Sequence, residues 1–69
     1  MLGDREAVIR EIRHVDVHGS RFVDVTVAYE GGALETARLG VESVPGDLEA
    51  GQRVVVARAV NMIVAIRRP

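Results

Sequence analysis

The chain contains no cysteine and no tryptophan, and only one phenylalanine, one tyrosine and two prolines among 69 residues. Without cysteine there can be no disulfide and no thiolate zinc site, and the redox compartment leaves no trace. A single Phe and a single Tyr are too few for a platform that stacks successive bases. No apolar run approaches the roughly 20 residues that a membrane helix needs. The start, MLGDREAV, is charged by its fourth residue, unlike the apolar stretch of a secretory signal. These absences lead to the expectation of a soluble, cytoplasmic protein with no membrane partner. A chain of this length is one domain, 1–69, and such a domain buries only roughly 60% of its unfolded surface. Small domains often widen that narrow margin with a disulfide, a metal or a second subunit, and here disulfides are already excluded.

Lysine is also missing: all nine basic residues are arginine, set against ten acidic ones, for a formal net charge of −1. Arginine suits planar, bidentate recognition, and it serves ordinary surface ion pairs equally well. The balance of charge argues against a general nucleic-acid binder, which presents a basic field.

What the chain does have is valine in quantity, with Gly and Pro at short intervals and no segment of helical period. That pattern is all-β. Five strands are expected, at about 6–18, 21–30, 33–42, 52–60 and 62–68. In the second, Val23, Val25, Val27 and Tyr29 share one face, and Phe22, Asp24, Thr26, Ala28 and Glu30 share the other. Val15 and Val17 are expected on one buried face, and a three-residue loop at Gly19-Ser20-Arg21 then sets Val17 against Val23 and Val15 against Val25. A three-residue loop at Gly31-Gly32-Ala33 then sets Val27 against Ala37, Val25 against Leu39 and Val23 against Val41. Val8, Ile9 and Ile12 break the alternation, as a bulge in a long first strand would. Three meandering strands, a link through Val44-Pro45-Gly46-Asp47 and a final hairpin give the layout of a small five-stranded OB-like Greek-key barrel, with an SH3-like barrel as the alternative. OB barrels often place a helix between strands three and four, and only Asp47-Leu48-Glu49-Ala50 remains here for one turn. One flank is therefore expected to be open.

The segment DLEAGQRVVVARAVNMIVAIRRP, through Leu48, Gly51, Val54, Val56, Val60, Ile63 and Val64, places a Gly before an apolar strand and a short turn before another. It resembles the C-terminal OB-like domain of NfeD-type proteins. That resemblance covers about a third of the chain, and it implies a non-enzymatic module that works through protein contacts. NfeD-type proteins usually carry membrane helices ahead of this domain, and this sequence shows none.

Two polar groupings stand out. In His14-Val15-Asp16-Val17-His18 the His and Asp side chains project from one face of a strand, and both residue types ligate metals. Histidines four apart in a straight strand lie about 13 Å apart, however, beyond the reach of one ion. The expected pairing of Asp16 with Asp24 explains the imidazoles as charge compensation, and no metal and no cofactor is implied. The second grouping is the outer face of strands one to three, the usual ligand surface of OB folds. On the expected register it holds His14, Asp16, His18, Phe22, Asp24, Thr26 and Arg38. Single-stranded nucleic acid would want several cations and stacked rings there, so nucleic-acid binding is possible but disfavoured. Ser20 and Ser43 lack a nucleophile-elbow context, and no phosphate loop precedes a helix, so no enzyme is expected.

The last two strands barely alternate. One face carries Val54, Val56 and Ile63, and the other Val55, Ala57, Met62, Val64 and Ile66. One set fills the barrel; the other needs cover. Val54, Val56 and Ile63 are the expected interface, with a second copy of the chain or another protein as partner. The alternative is that Leu2, Ala7 and Val8 fold over them. The functional expectation is a binding or assembly module, with an oligonucleotide-binding barrel as the competing class.

Overall fold

A computed structural model describes residues 2–69 of the chain. Five antiparallel strands account for most of it: β1 (Leu2–Val17), β2 (Ser20–Tyr29), β3 (Leu34–Gly40), β4 (Arg53–Ala59) and β5 (Met62–Arg67). A 3-10 turn at Val41–Ser43 follows β3, and there is no α-helix among the described residues. The protein is all-β, as its valine-rich alternation requires.

The strands form one sheet in the order β3-β2-β1-β4-β5. β1 is the long strand expected, and it serves both halves. Its residues Leu2–Val8 pair with β4, and Ala7–Val17 pair with β2. A bulge between Ile9 and Glu11 bends it and explains why Val8, Ile9 and Ile12 do not alternate. β3 and β5, at the two margins, approach one another without a ladder between them, so the sheet curls around its inner face.

The inner face is aliphatic. Ile9, Val25, Val27, Val54 and Val56 are sealed from solvent, and Ala7, Val23, Tyr29, Leu39, Ile63 and Ile66 pack with them. No helix among the described residues caps it, but the link between β3 and β4 adds Leu48, which is buried in the same cluster, and Val44, which packs against the cluster. Gly51 fixes where β4 begins. At φ 94° it donates its amide to the Ile9 carbonyl, while the Ile9 amide donates to the Gln52 carbonyl. This is a G1-type bulge, which needs a residue at positive φ and so selects glycine.

The first hairpin differs from expectation. Its loop is the two-residue turn His18-Gly19, both at positive φ (51° and 81°), and Val17 pairs with Ser20. Such a primed turn matches the twist of the strands. It sets Val15 opposite Phe22 on the outer side, and turns His14 and Asp16 to the inner side, opposite Val23 and Arg21. The second hairpin loop is Glu30-Gly31-Gly32, closed by the Tyr29 amide on the Ala33 carbonyl. Val23, Val25 and Val27 thus face Leu39, Ala37 and Glu35. The buried face is the one expected; the register is displaced by two residues.

The last hairpin also corrects the sequence reading. Val54, Val56 and Ile63 are 1%, 0% and 3% exposed and belong to the core, so they are not an interface. A register shift after Ala57 leaves Val64 without an opposite number, which brings Ile66 onto the inner face with Ile63.

Candidate functional site

Three surfaces hold the polar and exposed apolar side chains. The first is the outer face of β1, β2 and β3. Its centre is Asp24, half-buried, between Arg13 on β1 and Arg38 on β3. Arg38 donates from Nε and Nη2 to the two carboxylate oxygens at 2.7 and 2.9 Å, and Arg13 adds a bond at 3.3 Å. The bidentate guanidinium of Arg38, with Arg13 beside it, holds the Asp24 carboxyl down from 3.8 to about 2 against the opposing effect of burial. One row away, the Thr26 and Thr36 hydroxyls share a hydrogen bond of 2.9 Å. Phe22 lies between Val15 and Gly40 at one end, and Val8, Ala28 and Leu34 form a row at the other.

The expected ligand set divides on this geometry. Phe22, Asp24 and Arg38 do share this face. His14 and Asp16 lie on the opposite side of the strand, and His18 sits in the turn. Asp16 therefore does not face Asp24; its carboxylate accepts the Gly19 amide at 3.0 Å and braces the turn instead. Among the described residues no group of three His, Asp or Glu side chains is placed to hold a metal ion.

The second surface is the inner end of the curled sheet, which sequence reasoning missed. Arg58 of β4 donates from Nε and Nη2 to Glu35 of β3 at 3.1 and 3.0 Å. Glu35 also accepts the Tyr29 hydroxyl from β2, and the Arg5 guanidinium of β1 lies 4.0 Å above the Tyr29 ring. Four strands thus meet in one cluster. Arg58 holds the Glu35 carboxyl below its ordinary range, and burial together with Glu35 pushes the Tyr29 phenol up to about 12. The signal in the sequence was parity: Arg5, Glu35 and Arg58 fall on the same side as the core valines, at strand ends where a long side chain can reach its neighbour.

The third surface is the outer side of β4 and β5. Val55, Ala57 and Ala65 are half-buried there; Met62 is 60% exposed and Val64 39%. Val60, in the turn, is 77% exposed. Salt bridges from Arg67 to Asp4 and from Arg53 to Glu6, at 2.9 and 3.2 Å, flank this strip where β1 runs alongside.

Comparison with protein-family models, with curated proteins and with solved structures finds no match. No helix among the described residues is long and apolar enough to cross a membrane.

Proposed function

We propose that this protein is a non-enzymatic OB-like module that acts by protein contact, self-association first, through the outer side of its last hairpin. The observation that carries the reading is the solvent-facing group Val60, Met62 and Val64 beside Val55, Ala57 and Ala65, on a chain whose inner face is already filled. Apolar side chains gathered in this way gain free energy when covered, at about 25 cal/mol per Å². The small alanines allow a partner surface to come close.

The resemblance to NfeD-type domains belongs to this reading as an expectation. It is compatible with Gly51 at positive φ ahead of β4 and with the short turn at Val60-Asn61 before β5. The outer face of β1–β3 supports nucleic-acid binding less well. Its best cation, Arg38, is committed to Asp24, and Phe22 is its one ring.

The test is the mass in solution by light scattering, across about 10 to 500 µM, for the natural chain and for a Met62→Asp, Val64→Asp double variant. A mass twice the monomer's 7.5 kDa that falls to 7.5 kDa in the variant supports the reading. A monomer at every concentration overturns self-association.

A further inference from the structure

The five strands divide into two half-sheets that share β1. Its residues Ala7–Val17 pair with β2, which pairs with β3, and its residues Leu2–Val8 pair with β4, which pairs with β5. Only Ala7 and Val8 belong to both β1 ladders, and the bulge between Ile9 and Glu11 follows at once. A bulge bends a strand and interrupts its ladder, so β1 yields most easily where one half-sheet passes to the other. On the far side of the curl, β3 and β5 approach with no ladder and no main-chain hydrogen bond between them among the described residues. What spans that gap is apolar packing and one ion pair. Leu39 on β3 and Ile63 and Ile66 on β5 share the core cluster, and Arg58 at the end of β4 holds Glu35 at the start of β3. The one further bond from the C-terminal residues to this side, Arg68 to the Gly46 carbonyl at 2.7 Å, is exposed.

We propose that the gap between β3 and β5 is a seam at which the folded sheet opens, with the middle of β1 as its hinge and the Glu35–Arg58 pair as its clasp. Separating any other two neighbouring strands breaks a ladder of main-chain bonds, whereas parting β3 from β5 breaks none. Local openings lie below global unfolding in free energy where few contacts are lost, and this gap is such a place. The opening uncovers core side chains beside the seam while every strand keeps its partners. A few residues at the β1 bulge absorb the change in backbone angle, as hinges do. Glu35 is held twice, by Arg58 in a bidentate pair and by the Tyr29 hydroxyl of β2. When Arg58 leaves, Glu35 therefore stays with the meander. The clasp is one ion pair, and its loss shifts the opening without touching a ladder.

The chain has no cysteine, so one introduced thiol reports its own exposure. The experiment compares Ile66→Cys, beside the seam, with Ile9→Cys on the central strand opposite it. Both side chains are buried and the truncation is the same. Each thiol is labelled with an excess of an aromatic disulfide, in rising urea below the unfolding transition. Opening at the seam exposes little surface, so Ile66→Cys labels at a rate nearly independent of urea, while Ile9→Cys labels with the steep dependence of global unfolding. Adding Glu35→Gln quickens the urea-independent labelling of Ile66→Cys at least about tenfold. Arg53→Met, whose exposed ion pair with Glu6 lies off the seam, leaves it nearly unchanged. Leu39→Cys, on the other side of the seam, is the second reporter and behaves as Ile66→Cys does. The proposal is overturned if both seam reporters share the urea dependence of Ile9→Cys, or if Glu35→Gln quickens their labelling no more than Arg53→Met does. Ile66 and Leu39 face inward, away from the strip proposed for self-association, so this proposal and that reading fail separately.

Discussion

Arg58 on β4 reaches across the inner face of the sheet to Glu35 on β3, two strands that share no ladder. With Tyr29 donating to the same carboxylate, this pair ties the C-terminal half of the sheet to the N-terminal meander. The side chains are 27% and 21% exposed, sheltered enough for charge-assisted bonds to count.

Glu35→Gln is expected to destabilise the fold by about 2 kcal/mol, the range for hydrogen bonds to a charged group, and Arg58→Met is expected to destabilise it as well. Urea unfolding at neutral pH measures this, with Arg53→Met as the control. Arg53 bridges Glu6 in full solvent and should change stability little. Equal small losses in all three variants would show that the strands hold together without the cluster.

Tyr29 is the chain's one tyrosine, so an ultraviolet titration reports it alone. Its phenol should ionise near 12 in the folded protein and near 10 when unfolded in urea. Because the folded value is the raised one, the associated stability is fully present below pH 10 and is lost as pH rises from about 10 through 12. A native titration centred at 10 would mean the phenol is not held against Glu35.

Val60 occupies the first central position of the β4–β5 turn at φ 58°, a conformation that suits glycine and strains a β-branched side chain. Val60→Gly should raise stability by about 1 kcal/mol, or roughly 4–8 °C in Tm for a domain of this size. Thermal unfolding followed by circular dichroism decides it; an unchanged or lower Tm would place the turn in a geometry that Val tolerates.

β2 could be read from its residues because nothing interrupts it: every second position from Val23 to Tyr29 is apolar and every one is buried. The same logic failed on β1, where Val15 and Val17 are apolar but lie on the outer side. Their side was decided by the His18-Gly19 turn, and a histidine at positive φ gives no warning in a sequence. It failed on β5 too, because the irregularity at Val64 changes the parity between Ile63 and Ile66 without a glycine to mark it. The irregularity accounts for Ile66; Val54, Val56 and Ile63 do form one set, but it is the inner one, so the exposed apolar group is Met62, Val64 and Val60. Of the expected ligand face, Phe22, Asp24 and Arg38 were legible, since they depend on β2 and β3 alone. His14 and Asp16 were not, since they depend on the turn.

β1's place between β2 and β4 also sets an order in time. The pairs β1–β2 and β2–β3 close across loops of two and three residues, so their chain-entropy cost is small and local. The β1–β4 ladder joins the first residues of the chain to Arg53–Ala59 and must wait for a far larger loop to close. The meander therefore forms early and the last hairpin docks late. Substitutions in β4 and β5 are expected to quicken unfolding more than they slow folding.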